Sequence, residues 1–269
     1  MRASDQERSI SLRTERVRVG YGKEDIVKDL SLEVRNGTFT VLAGPNGCGK
    51  STLLKALSGV LPTSGGAIFL DERPIKSLSV KAIARRIGIL AQSPSNPEGL
   101  TVEDLVKQGR YPHRGLFSHW KKADSEACEE ALELTGLRHL ASRSLASLSG
   151  GQRQRAWIAM TLAQKTDILL LDEPTTFLDI AHQVEVLGLL RNLVDSRGAT
   201  IVAVLHDINQ AAQYADRVVL MKDGQIQSEG ATQSVINAGS MRSVFGVEAQ
   251  VIANPLDGTP LMLLEGRHG

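Results

Sequence analysis

Apolar and polar positions alternate along the first forty residues and then cluster, and the change marks how the chain is organised. Residues 9–19 and 26–34 carry β-branched and alternating apolar positions (Leu30, Leu32, Val34), the period-two pattern of strands with one buried face. Asn36-Gly37 turns the chain into a third strand, 38–43. After Gly44 the period changes. Residues 50–58 read as a helix closed by Gly59, 67–70 as a strand entering a turn at 71–74, 79–86 as a helix and 87–91 as a strand. Strands and helices alternating in this way build a sheet covered by helices.

Two prolines, an asparagine and a glycine interrupt the pattern at 93–99, and the next segment is mostly helical. Thr101 and Asp104 form a capping box for a helix at 102–110, and 123–135 places Ala127, Ala131 and Leu134 on one face before Gly136. This block, about 93–164, reads as a helical insertion. The alternation resumes with the aliphatic run 168–171, suited to a parallel strand buried on both faces. A helix at 180–196 carries Val184, Leu187, Leu190 and Val194 at helical spacing, and Gly198 ends it. Strand 200–205, helix 207–215 and strand 217–221 follow, and Asp223-Gly224 turns the chain into 225–229. Beyond Gly230 come a short helical tail and, within 251–264, a hairpin around Asp257-Gly258.

Charge and cysteine content narrow the functional classes. Lys plus Arg number 31 against 30 for Asp plus Glu, so no basic excess points to nucleic acid. The polar start MRASDQERSI lacks the apolar core of a secretory signal, and no apolar run approaches the roughly 18 residues of a membrane span. A soluble protein that reaches a membrane only through a partner is expected. Cys48 and Cys128 have neither a disulfide framework nor metal-ligand spacing, which fits a reducing cytoplasm.

The candidate chemistry lies at strand ends. Gly44-Pro45-Asn46-Gly47-Cys48-Gly49-Lys50-Ser51 fits G-x-x-x-x-G-K-[ST] between a strand and a helix, the context that this phosphate loop requires. Its glycines let successive N–H groups face a phosphate, Lys50 neutralises β- and γ-oxygens, and Ser51 offers a hydroxyl to Mg²⁺. Strand 168–171 delivers Asp172 and Glu173 to its carboxyl end, where α/β sheets bind ligands. Asp172 suits the water shell of magnesium, and Glu173, turned the other way, suits orienting or deprotonating a water. His206, after strand 200–205, is placed at the level of Asp172 as a hydrogen-bond donor to a γ-phosphate. Gln92 occupies a similar edge and suits the magnesium shell or the water. Leu148-Ser149-Gly150-Gly151-Gln152 opens a further helix, read over 152–163. Its glycines and Ser149 make half an anion seat with no lysine, unless the segment is only a turn.

In this order, the phosphate loop at 44–52, Gln92, LSGGQ at 148–152, LLLDEP at 169–174, Asp179 and His206 resemble the ATP-binding cassette family, from about Ser11 to Glu229. The resemblance implies an α/β P-loop NTPase fold. It has a RecA-like core sheet, an N-terminal antiparallel β subdomain and an inserted helical subdomain, all within 9–245, with 246–269 a short C-terminal extension. It implies ATP and Mg²⁺ as cofactors. Lys50, Glu173 and His206 would be catalytic; Ser51, Gln92 and Asp172 would serve the metal. Tyr21 would stack on adenine, or be an ordinary aromatic in a Gly-Tyr-Gly turn; Gly44, Pro45, Asn46, Gly47, Cys48, Gly49, Lys50, Ser51 and Thr52 would cradle the phosphates. Ser149, Gly151 and Gln152 would meet the ATP of the opposite subunit, with Asp179 at the seam of a head-to-tail dimer.

Within that family, GRYPH at 109–113 followed by Leu116-Phe117, and the runs LSGGQRQRAWIAMTLAQ and LLDEPTTFLDIAHQ, look like the ATPases of bacterial ferric siderophore importers, the catecholate branch above all. Haem and vitamin B12 importers share much of the pattern. Membrane permease subunits and a substrate-binding protein are the implied partners, and 92–113, Tyr111 and His113 included, would meet the permease. The insertion is too short for the coiled coil of a chromosome-maintenance ATPase, and a translation-type protein would carry two cassettes. Phe177 stands where a small residue is common, in keeping with the iron-uptake branch. Cys48 reads as a compact loop residue, with a lowered thiol pKa from Lys50 and helix amides as the alternative.

Overall fold

The computed structural model describes residues 9–22, 24–92, 99–115 and 119–264; the polar N-terminus, residues 93–98 and the Leu116-Phe117 pair lie outside them. The N-terminal pattern gives a long antiparallel hairpin, β1 (Ile10–Tyr21) and β2 (Glu24–Arg35). β4 (Gly65–Leu70) and β5 (Arg73–Pro74) extend it, in the order β2-β1-β4-β5. The larger sheet is built from β3 (Phe39–Ala43), β6 (Ile87–Leu90), β7 (Ile168–Asp172), β8 (Thr200–Val204), β9 (Arg217–Lys222) and β10 (Gln225–Ala231). Its order is β10-β9-β3-β8-β7-β6, parallel except for β10, which returns along β9 through the Asp223-Gly224 turn.

Every residue of β3, β7 and β8 is buried, because both faces of this sheet are covered. Alternate side chains then belong to different cores. Phe39, Val41, Leu169, Leu171, Ile201 and Ala203 point into one, which also holds most of the helices. Leu42, Ile168, Leu170, Val202 and Val204 point into the other, against Leu53, Leu54 and Leu57 of α1 (Lys50–Leu57) and the apolar face of the antiparallel sheet. The α/β class and the two-sheet plan are those expected.

α2 (Val80–Ala84) precedes β6, and between β6 and β7 lie α3 (Val102–Gln108), α4 (Lys122–Leu134) and α5 (Gly150–Ala163), with α3 and α4 packed on α5. The Thr101–Asp104 capping box is formed. On α4, Ala127 and Ala131 are buried and Leu134 half-buried. α6 (Ile180–Arg197) departs from expectation in one respect. Its core stripe is Val186, Leu187, Leu190, Leu193 and Val194, whereas Val184 is 52% exposed. At about 100° per residue Val184 lies roughly 120° from the centre of that stripe. The chain closes with α7 (Ile208–Tyr214), short helical turns over 232–245, and a hairpin of β11 (Ala249–Ala253) and β12 (Pro260–Leu264). Asn209 of α7 clamps the hairpin: its side-chain amide donates to the Met262 carbonyl at 3.1 Å, and its oxygen accepts the Met262 N–H at 2.7 Å.

One buried ion pair ties the three inserted helices together. Arg110, 7% exposed, donates to Asp124 at 2.9 Å and to the Ala163 carbonyl at 2.7 Å, so one guanidinium meets the first turn of α4 and the end of α5. Burial raises the Asp124 carboxyl, but hydrogen bonds from Arg110 and the Lys121 amide outweigh it and hold the group below its ordinary value. A depressed carboxyl stabilises the fold above the unfolded-state pKa, and that contribution fades as pH falls through the folded-state pKa. Asp124→Ala, which strands Arg110 in the core, is expected to lower the unfolding free energy by about 3–5 kcal/mol at neutral pH. Denaturant titrations should show the gap from wild type narrowing once the pH falls below the ordinary aspartate value of about 3.9; a gap independent of pH would count against the ion pair.

Candidate active site

The loop 44–49 leaves β3 and enters α1 with Gly44, Gly47 and Gly49 at φ of 151°, 78° and 104°, a path that residues with a Cβ rarely take. Lys50, 5% exposed, folds back over it: Nζ donates to the carbonyls of Gly44 and Pro45, each at 2.9 Å. Cys48 is 4% exposed with Sγ 3.8 Å from Nζ. Burial pushes its thiol above the ordinary value and Lys50 opposes this only in part, which favours the compact loop residue over the alternative of a lowered, reactive thiol.

β7 ends at Asp172, which is 3% exposed and accepts a hydrogen bond from Ser51 Oγ at 2.8 Å on Oδ1. Burial raises this carboxyl, against the Ser51 bond. Glu173 has a left-handed backbone (φ 53°), which turns its side chain away from the direction of Asp172. Its carboxylate lies 2.8 Å from His206 Nε2, accepts from Thr176 Oγ1 at 2.9 Å, and accepts from the Gln92 amide. Burial works to raise Glu173, yet these three donors prevail and hold it below the usual glutamate value, ionised at neutral pH. His206 is not level with Asp172. Asp172 pairs with Val204, and two further residues carry His206 past that point, to Glu173.

These groups line one cleft: Asn46, Gly47, Gly49, Lys50, Ser51, Thr52, Gln92, Glu173 and His206, joined by Ile26, Thr176 and Phe177. Thr176 and Ile26 escaped the sequence reading. The only signal for Thr176 is its place three residues after Glu173 in a tight turn, and Ile26 reads as an ordinary strand residue. Ser51 Oγ, Asp172 Oδ1 and the Gln92 carboxamide are hard oxygen donors beside a phosphate loop, a set that fits Mg²⁺ and leaves its remaining positions to phosphate and water.

Gly44, Pro45, the buried Cys48 and Asp172 are not part of its lining, and Ser149, Gly151, Gln152, Asp179 and Tyr21 do not line it either. Ser149 is the N-cap of α5, which begins at Gly150, two residues before the expected start. Its hydroxyl accepts the Gln152 N–H at 3.2 Å, while Gln152 Oε1 accepts the Ser149 N–H at 3.1 Å. Asp179 caps α6, accepting the His182 N–H at 2.9 Å. Tyr21 is 53% exposed at the tip of the hairpin that carries Ile26. Phe177, Ile180 and Val184 are 90%, 79% and 52% exposed, an apolar strip beginning at the mouth of the cleft.

The sequence model of the ABC transporter family matches residues 27–176. The chain is 48% identical to the ferric enterobactin transport ATP-binding protein FepC of Escherichia coli strain K12, over 95% of this chain and 94% of that protein. Its fold superposes on a metal-chelate type ABC transporter seen facing inward, with a TM-score of 0.83 and 30% identity, over 96% of this chain and 98% of the other. A dimeric ATP-binding cassette holding ADP and Pi after hydrolysis matches with a TM-score of 0.71 and 28% identity, over 82% and 98% of the two chains. With more than half its length matched by the family model and nearly all of it by a relative at 48% identity, this chain belongs to the ABC transporter family.

Proposed function

We propose that the chain is the ATP-hydrolysing subunit of a bacterial importer of ferric siderophores, working as a head-to-tail dimer on the cytoplasmic face of the inner membrane. Permease subunits and an external substrate-binding protein complete the transporter. The observation that carries the reading is the Glu173 carboxylate, held by His206, Thr176 and Gln92 at a cleft lined by Lys50 and Ser51. No described helix is long and apolar enough to cross a membrane, and in this reading permease subunits form the pathway. The relation to FepC supports a siderophore cargo. Haem and vitamin B12 remain the alternatives, and no cleft residue is suited to choosing among them.

ATP enters with its phosphates over the 44–52 loop. Lys50 exchanges its carbonyl partners at Gly44 and Pro45 for β- and γ-oxygens, and the amides at the start of α1 face the same charge. Ser51, Asp172 and Gln92 would hold Mg²⁺, which when bound neutralises phosphate charge. Glu173 accepts a proton from water as the water oxygen bonds to the γ-phosphorus. The bond to the β–γ bridging oxygen breaks and that oxygen leaves on ADP. His206 keeps Glu173 oriented and presents its ring toward the γ-phosphate. Ser149, Gly151 and Gln152, away from their own chain's cleft, complete the partner's site, and the exposed strip Phe177, Ile180 and Val184 packs at the seam. Binding thus closes the dimer and hydrolysis reopens it.

The GRYPH segment divides its labour. Arg110 is buried in the helical insertion, the Pro112 carbonyl accepts from Arg85 at 2.9 Å, and His113 Nε2 lies 2.7 Å from the Gln164 carbonyl. Tyr111, 66% exposed, is the residue of this segment offered to a permease.

Glu173→Gln is expected to keep ATP affinity, lower turnover by about 100-fold or more, and run as a dimer on a sizing column with ATP; full activity would sink the assignment. Tyr111→Ala should spare basal ATPase while reducing transport in reconstituted vesicles, and equal loss of both would argue against a docking role. For the cargo, radiolabelled ferric catecholate uptake in cells lacking the gene should return with the wild-type chain but not with Lys50→Ala. Restoration of haem or cobalamin uptake instead would move the assignment to those importers.

A further inference from the structure

Gly150 and Gly151 occupy different surroundings. A Cβ on Gly150 would meet nothing of its own chain closer than the Phe177 carbonyl at 3.9 Å. A Cβ on Gly151 would fall 2.2 Å from Cδ2 and 2.5 Å from Cγ of His182, far closer than van der Waals contact allows. The ring of His182 therefore lies flat against the first turn of α5, in the space that any other residue at 151 would claim. Its Nδ1 donates to Asp179 Oδ1 at 2.6 Å, the same oxygen that caps α6. One turn along, Arg155 of α5 meets Glu185 of α6 at 3.7 Å, so the contact continues down the pair of helices.

From this geometry we infer that His182 is a positioning residue, which seats Ser149-Gly150-Gly151-Gln152 against the Asp179 loop of its own chain. Gly151 is then required to make room for an intrachain side chain, as well as to face a nucleotide. The loop that ends at Asp179 begins at Glu173, so the seat links the cleft of one protomer to the segment it lends to the other. That last link rests on the head-to-tail reading above; the seat itself rests on contacts within one chain. The Ser149–Gln152 capping box makes the segment rigid, so a shift at Gly151 moves all of it.

A double-substitution cycle in the full-length chain separates the two. Gly151→Ala is expected to lower the melting temperature of the nucleotide-free protein by about 3 °C or more and ATP turnover by about tenfold. In a His182→Ala background the same glycine change should lower the melting temperature of the nucleotide-free protein by less than about 1 °C, because the ring it strikes is gone. His182→Ala alone should leave the affinity of the monomer for a fluorescent ATP analogue unchanged, since Lys50 and Ser51 are untouched. Combined with Glu173→Gln, it should raise the ATP concentration needed to drive dimerisation by about tenfold. A Gly151→Ala shift in the nucleotide-free melting temperature of equal size in both backgrounds, or none in either, overturns the inference. Melting temperatures that couple Gly151 to His182, in a Glu173→Gln chain that never dimerises with ATP, would uphold the seat and overturn the head-to-tail reading instead.

Discussion

A parallel strand covered on both faces can carry a charge only where it ends. β3, β7 and β8 obey this without exception: every residue within them is buried, and the phosphate loop, the Asp172–Glu173 pair and His206 all follow at their carboxyl ends. The site is thus assembled by exclusion. Polar groups barred from the sheet converge on one edge, at distances set by strand spacing and register. Register also explains the partnership of His206. Because Asp172 is opposite Val204, the histidine passes the first carboxylate and reaches the second.

The same exclusion divides labour between adjacent acids. Asp172, still in strand geometry, stays in the wall of the site on Ser51, where burial raises its carboxyl. Glu173 leaves the strand with a left-handed backbone and collects donors from three separate elements, which hold it ionised. A strained φ at a single residue thereby gives neighbouring carboxylates opposite protonation tendencies, a pattern typical of sites that must manage protons.

How much of this could be read beforehand depended on whether a property was local. The strands at 168–171 and 200–205 were legible because unbroken aliphatic runs have few alternatives, and the phosphate loop because its glycine spacing is a backbone requirement. The capping box at Thr101 and Asp104 needed only residues three apart. Val184 was misplaced because two apolar stripes compete on α6, and only the packing of the rest of the chain decides which is inside. The alternative of a reactive Cys48 stays open in the sequence for a similar reason: Lys50 is visible two residues away, but burial under the antiparallel sheet is not. Contacts such as Gly151 with His182 depend on how α5 crosses α6, which no local pattern encodes.

The Asn209 clamp on the hairpin bears on what keeps that hairpin in shape. Two isolated strands are marginal in water, so β11 and β12 need a surface that already exists. That surface is α7, whose Asn209 satisfies both backbone groups of Met262 as a neighbouring strand would. α7 in turn packs against β3, α6 and the helical turn at 232–235. The hairpin is therefore held in shape only while α7 is in place, and its order reports on that helix.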